Sequence, residues 1–355
     1  MNLNVMCNIN PLSYGVVPFY FLRYLYKANV KCSLFPINNC DLSAYADQDC
    51  DFLQKFIENA KDFDPDAPTL RIYHQFAMAE SVGRGKRIGW SFYELNKLKV
   101  NEVAHINSLD LFIVSSEWAK EVAINSGVKV PIEIIAPSSE IHCKKDYLNR
   151  PDGVVKFMCV GKLEVRKCHD MIIQAFSKAF GAFDSVQLDM YTHNPFNSEE
   201  ENNSWAQFIS RSPLSHKIKL CGPIQLHTDV LKNYGNYDCF VGLSRAEGFN
   251  LPLFEAMRSG LLCIANDNSA MEYIREDNCI YVCKNGDIPA VDNKWFFGEG
   301  EWADFQEEDI KLAFIKAKQD IEDKDSSKAE GGFLTLEDHS WKKSVRKFIK
   351  VVEKM

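Results

Sequence analysis

Short apolar runs alternate with amphipathic stretches along nearly the whole chain. In the first half the runs NLNVMCN, KCSLFPI, TLRIYH, KRIGWS, DLFIVSS and IEIIAP read as strands. Between them, 16–29, 96–108 and 117–127 carry the helical period. The second half repeats the scheme with strands at VVKFMCVG, VQLDMY, IKLCG, DCFVGLS, LLCIAN and CIYVC, and helices near 168–181, 226–235, 252–259 and 270–276. Strands that are apolar on both faces belong in parallel sheets covered on each side by helices. Two full sets predict an α/β protein of two Rossmann-like, doubly wound domains facing across a cleft. Their expected bounds are 1–150 and 151–340, joined through the polar stretch HCKKDYLNRPDG at 142–153. The last stretch, 341–355, is a basic amphipathic helix whose stripe of Val345, Phe348, Ile349 and Val352 is expected to pack back on the domains rather than contact a membrane. The Trp-rich segment 284–305 reads as an irregular surface excursion, with no job assigned to it.

Composition narrows the partners. A length of 355 residues suits two domains with their own cores. The net charge of −8 sets up no global field toward nucleic acid or anionic lipid, although GRGKR at 83–87 is a local basic loop. The N-terminal residues lack a signal-peptide pattern, and no apolar run reaches the ~18 residues of a spanning helix. A cytoplasmic location with no membrane span is therefore expected, in the host cytoplasm if the chain is virus-encoded. The twelve cysteines are scattered through strand-like segments without a CxxC pair, which favours reduced, buried thiols over disulfides or zinc.

Chemistry should sit at the carboxyl ends of the strands. In SRAEGFNLPLFEAMRSG, 244–260, a strand runs into a loop holding Glu247, and a helix starts near Leu251 with Asn250 as a good N-cap. Glu255 lies one turn further on, able to point at the same space. The N–H groups of Phe249, Asn250 and Leu251 would form an anion site at the helix terminus. Carboxylates suit hydroxyls and N–H groups suit phosphate, a pairing that a nucleotide-sugar presents; acidic residues drawn to a helix dipole are the plainer reading. In FMCVGKLEVRKCHDMIIQAF the loop after the strand carries Lys162, Arg166 and Lys167, three cations suited to a diphosphate, or simply a solvated basic loop.

Together, VGKLEVRKCHDMIIQAF followed by SRAEGFNLPLFEAMRSG resembles glycosyltransferase family 4, the retaining GT-B enzymes (glycosyl transferases group 1). The resemblance implies Lys162 and Lys167 as donor-diphosphate ligands, Glu255 as ribose ligand, and Glu247 as the carboxylate at the transferred sugar. It further implies retention of anomeric configuration. Three positions depart from the family: Lys162 stands where Arg is common, and Cys168 and Asn250 each replace a Gly. In the first half, NPLSYGVVPFYFLRYL resembles the family's N-terminal Gly loop, which makes Gly15 the residue that admits a donor phosphate, or else a plain turn glycine. His74, at the end of TLRIYH, matches a family His near the acceptor, against a structural role. Glu94, Ser116 and Glu117 read as scaffold.

An Asp-x-Asp, the metal-binding hallmark of the other main transferase fold, is not expected in the chain, so no metal and no other cofactor is expected, and the cations would neutralise the leaving group. The partners implied are a UDP- or GDP-sugar donor and an acceptor glycan, lipid-linked sugar or modified DNA. VVPFYFLRYLYK is a candidate membrane-docking helix for a lipid-linked acceptor. Compact phage-type enzymes that glycosylate hydroxymethylated DNA bases are one alternative, and a non-catalytic nucleotide-sugar-binding protein is another. A GT-B epimerase or phosphorylase fits the second motif poorly.

Overall fold

The computed structural model describes residues 1–141, 153–292 and 294–355. The join expected at 142–153 thus lies, but for Gly153, outside the described residues, as does the 150/151 boundary. The chain divides into two compact units: residues 1–140, 225–229 and 339–355, and residues 141–224 and 230–338.

The first unit begins with β1 (Asn2–Cys7), α1 (Ser13–Lys27), β2 (Lys31–Pro36), α2 (Asp51–Asn59), β3 (Thr69–Ile72) and β4 (Arg87–Trp90). It continues with α3 (Val100–Ile106), β5 (Leu111–Val114), α4 (Glu117–Asn125) and β6 (Ile132–Ile134). Its sheet has the order β2-β1-β3-β4-β5-β6, with every pairing parallel. Strands such as LFIV are buried on both faces, which explains their unbroken apolar run.

The second unit holds β7 (Val155–Val160), α5 (His169–Ala179), β8 (Val186–Tyr191), α6 (Glu199–Ser210), β9 (Ile218–Leu220), α7 (His227–Asn233, whose first turn falls in the first unit), β10 (Cys239–Val241) and α8 (Leu251–Arg258). There follow β11 (Leu262–Ala265), β12 (Ile280–Tyr281), β13 (Gly286–Val291), β14 (Phe297–Asp304), α9 (Glu307–Glu322) and α10 (Ser327–Glu337). Its six-stranded sheet runs β12-β11-β10-β7-β8-β9, again parallel, and its core is built on Phe157, Phe176, Leu188, Ile264 and Phe314.

α11 (Trp341–Val352) returns to the first unit. Ser340 caps it by accepting from Lys343 N, Phe348 meets Phe21 of α1 edge-on at 5.2 Å, and Ser344 Oγ donates to Ala136 O at 2.8 Å.

Three expectations need correction. Residues 270–276 form turns rather than a helix. The segment 284–305 is not irregular: β13 and β14 form an antiparallel pair, with Trp302 1% exposed and Ala303 N donating to Arg245 O at 3.0 Å. The candidate membrane helix VVPFYFLRYLYK lies in α1, where Val16, Val17, Phe19, Tyr20, Phe21, Leu22 and Leu25 are buried. Among the described residues no helix is long and apolar enough to cross a membrane.

Candidate functional site

Numbered within the second unit, its sheet has the order 3-2-1-4-5-6, and the connections reverse direction between β7 and β10. The loops leaving the carboxyl ends of those two neighbours part to opposite faces, opening the crevice where doubly wound sheets take ligands. They are 161–168 and 242–250, the two motifs singled out in the sequence.

The second loop is buried over its whole length. A buried loop must find partners for its backbone polar groups, and neighbouring side chains supply them. Asn266 clamps Ser244 from both sides, its Oδ1 accepting from Ser244 N and its Nδ2 donating to Ser244 O, each at 3.1 Å. Ser269 Oγ accepts from Glu247 N at 2.8 Å, and Tyr273 Oη reaches the carbonyls of Phe249 and Asn250 at 2.9 and 3.1 Å. From the first loop, Arg166 Nη1 donates to Ala246 O at 2.5 Å, while Arg166 O accepts from Arg245 N at 2.8 Å.

An alternating chain of charges runs through both loops. Lys162 Nζ lies 2.7 Å from Glu164, and Glu164 lies 3.0 Å from Arg166 Nη2. Arg166 Nη1 lies 3.1 Å from Glu247 Oε2, and Lys167 Nζ lies 2.5 Å from Glu247 Oε1. Burial pushes the Glu247 carboxyl up, but Lys167 and Arg166 outweigh it and hold it below the ordinary carboxylate range. Glu164 behaves alike: burial raises it, and Arg166 and Lys162 bring it down to about 2.

The three cations therefore differ. The Arg166 side chain is 7% exposed and engaged with two carboxylates and a carbonyl, whereas that of Lys162 is 34% exposed. Behind them, burial lowers His169 to about 4, so it is neutral near pH 7, and its Nε2 donates to Lys162 O at 3.0 Å.

Both departures from the family's glycines fall on left-handed backbone. Cys168, the N-cap of α5, has φ 54°, and Asn250, the N-cap of α8, has φ 60°. Glycine adopts this conformation at least cost and Asn tolerates it, which accounts for the family preference. Asn250 holds the expected cap position without capping: its Nδ2 turns back to Gly242 O at 3.2 Å. Glu255 is 3% exposed and accepts from Tyr234 Oη at 3.0 Å. Phe249 and Asn250 precede α8 and Leu251 is its first residue, so their N–H groups have no intrahelical carbonyl one turn back.

The first unit's sheet reverses between β1 and β3, and its two candidates follow those strands. Gly15 sits in the first turn of α1, and a Cβ there would overlap Asn10 N, O and Oδ1. Gly15 thus lets the chain's own β1–α1 loop approach closely. His74 lies two residues past β3, with its ring 4.2 Å from Tyr14 and stacked on Phe76 at 5.2 Å. Ser116 caps α4, its side chain accepting from Ala119 N. In GRGKR, Arg84 pairs with Asp66 and Lys86 with Asp110.

Among the described residues no group of three His, Cys, Asp or Glu side chains could hold a metal ion. Asp-x-Asp triplets do occur, at 47–49, 49–51, 62–64, 64–66 and 323–325, all outside the two loops. No disulfide joins the eleven described cysteines.

Comparison with known proteins bears on this geometry. Residues 155–294 match the profile of the family described as glycosyl transferases group 1. The match covers 140 of the 355 residues, all but 225–229 of them in the second unit. The GtfA subunit of UDP-N-acetylglucosamine–peptide N-acetylglucosaminyltransferase from Streptococcus gordonii is 23% identical over 201 residues, 55% of this chain and 37% of its own. The chain thus spans little more than a third of that curated relative. Among solved structures, Anabaena HepE in complex with UDP has a TM-score of 0.72 at 14% identity over 100% of both chains. Sucrose-phosphate synthase from Thermosynechococcus elongatus has 0.72 at 14% identity, over 100% of this chain and 98% of its own. The pneumococcal O-GlcNAc transferase GtfA, with UDP and GlcNAc, has 0.60 at 17% identity, over 85% of this chain and 59% of its own. The fold is GT-B.

Glu164, His169, Ser244, Asn266, Ser269, Tyr273 and Tyr234 went unnoticed in the sequence. Glu164, His169 and Ser244 lie within the two quoted motifs, whereas Asn266, Ser269, Tyr273 and Tyr234 are joined to the loops only by tertiary contact.

Proposed function

We propose that the protein is a glycosyltransferase that moves a sugar from a nucleoside-diphosphate sugar to an acceptor hydroxyl, with retention of configuration and without a metal ion. The observation that carries this reading is the meeting of Lys162, Lys167, Glu247 and the start of α8 on the two loops of the second unit's switch point. UDP is favoured over GDP because the HepE and pneumococcal GtfA structures hold UDP and the Streptococcus gordonii relative is named for a UDP-sugar.

In this reading Lys162 and Lys167 neutralise the departing diphosphate together with the N–H groups opening α8. Lys167 has three N–H donors, enough to keep its bond to Glu247 and reach a phosphate oxygen. Glu247 faces the sugar and stabilises positive charge developing on the ring; Glu255, steadied by Tyr234, binds the ribose. Arg166 holds Glu247 in place rather than binding phosphate. The departing phosphate oxygen accepts the acceptor's proton, which accounts for retention without a covalent intermediate. His74 is assigned to the acceptor side.

A melting-temperature panel of UDP, GDP, ADP and CMP with EDTA present tests the donor. Ligand at a hundred times its Kd adds about 2.7 kcal/mol, so UDP should raise the transition clearly. Transfer from UDP-sugars in EDTA should match transfer in Mg²⁺ or Mn²⁺. A strict metal requirement overturns the neutralisation scheme, and no shift with any nucleotide overturns the donor site.

A further inference from the structure

The hairpin of β13 and β14 holds none of the assigned donor ligands, yet its turn is fastened to the loop that follows β8 in the same unit. Asp292 Oδ1 closes the turn by accepting from the backbone N–H groups of Lys294, Trp295 and Phe296 at 2.9, 2.8 and 2.9 Å. Lys294 Nζ donates to Phe196 O at 2.8 Å and lies 3.0 Å from Glu201, and the Trp295 ring meets the Phe196 ring edge-on at 6.3 Å. The β8 loop is in turn tied to the donor loop. Phe196 N donates to Asn194 Oδ1 at 3.1 Å, and Asn194 Nδ2 donates to Leu163 O at 3.0 Å, the residue beside Lys162. Lys162 Nζ lies over the Phe196 ring, 5.2 Å from its centre.

We propose that Phe196, steadied by the hairpin, is a positioning residue for Lys162: it holds the ammonium where the donor diphosphate takes it up. This rests on the reading of Lys162 as a diphosphate ligand. A lysine ammonium is a point charge on a flexible stem, without the preorganised fork of an arginine. Meeting a phosphate therefore costs rotamer freedom unless the protein has already ordered the side chain. Glu164 restrains the ammonium from one side at 2.7 Å, and the electron-rich face of Phe196 attracts it from another. Phe196 and Trp295 are 49% and 57% exposed, so neither side chain serves the core. Their place beside a partly exposed cation of the donor loop gives the hairpin a part in donor binding.

The test is calorimetric titration of the full chain with UDP in EDTA. An exposed contact between a cation and an aromatic face changes an equilibrium constant by about two- to fivefold. Phe196→Leu should weaken UDP binding by that factor, with an unchanged melting temperature because the side chain is exposed. Phe196→Tyr keeps the ring face and should bind UDP as the wild type does. In a Lys162→Met background, itself weaker for UDP, Phe196→Leu should cost nothing further. That non-additivity marks action through Lys162, which loss of a merely structural contact would not produce. Equal UDP affinity in wild type and Phe196→Leu, or an undiminished effect of Phe196→Leu in the Lys162→Met background, overturns the proposal and leaves the donor site standing. A wild type that binds no UDP overturns the donor site, and this proposal with it.

Discussion

Arg166→Met separates the two roles open to this residue. In the structure its guanidinium lies between Glu164 and Glu247, whose side chains are 11% and 6% exposed. Removing one member of a buried ion pair costs about 3–5 kcal/mol because the remaining charge is left uncompensated. Each carboxylate keeps a lysine, Lys162 or Lys167, so the lower end, about 3 kcal/mol, applies. For a unit of this size that lowers the melting temperature by about 6–12 °C. Glu247 would still be present but no longer fixed, and a small misplacement of a group at the reaction centre can cost about a hundredfold in turnover. UDP affinity should stay within about threefold of wild type, since no phosphate contact is removed. Thermal melts, UDP titration calorimetry and transfer kinetics read the three quantities. Arg166→Lys should recover only part of the stability, because an ammonium cannot fork across both carboxylates. A variant with unchanged melting temperature and UDP binding weakened more than tenfold would refute the argument, making Arg166 a phosphate ligand.

Other expectations follow from the same contacts. Glu247→Gln should lower kcat far more than donor affinity and Glu255→Gln the reverse, as kinetics over a range of donor concentrations would reveal; full activity in both would remove the site. The folded pKa of Glu164, about 2, lies below its ordinary value of 4.5, so its stabilisation, about 3 kcal/mol, is complete above pH ~4.5 and lost as pH falls toward ~2. Glu247 adds to the same acid limb. Glu164→Gln should flatten that limb in acid unfolding curves, and an unchanged limb would count against the charge chain. Asn250→Ala should cost about 1–2 kcal/mol, from a left-handed residue without its bond to Gly242, and Asn250→Gly less. Gly15→Ala should cost about 1–3 kcal/mol through overlap with Asn10; a variant as stable as wild type would show that this contact is unimportant.

What the sequence by itself determined is the alternation. Strands such as LFIV and LCIA are buried on both faces, so their apolar runs survive any arrangement of the surrounding helices and are legible locally. The two loop motifs were legible for a related reason, since a strand, a polar loop and a helix start follow one another within about twenty residues. Weakly patterned helices were harder: α6 begins with three glutamates, and α9 mixes charge with its apolar positions, so neither announced itself. The hairpin β13–β14 was missed because its alternation is broken by Pro289 and by an irregular register. Only the tertiary structure decided where each cation sits and which carboxylate it meets. Lys162, Arg166 and Lys167 look alike along the chain, yet packing buries Arg166 between two carboxylates, leaves Lys162 partly exposed, and turns Lys167 to Glu247. Strand order decided the rest: β7 and β10 are neighbours about eighty residues apart in sequence, and that pairing turns two separate motifs into one site.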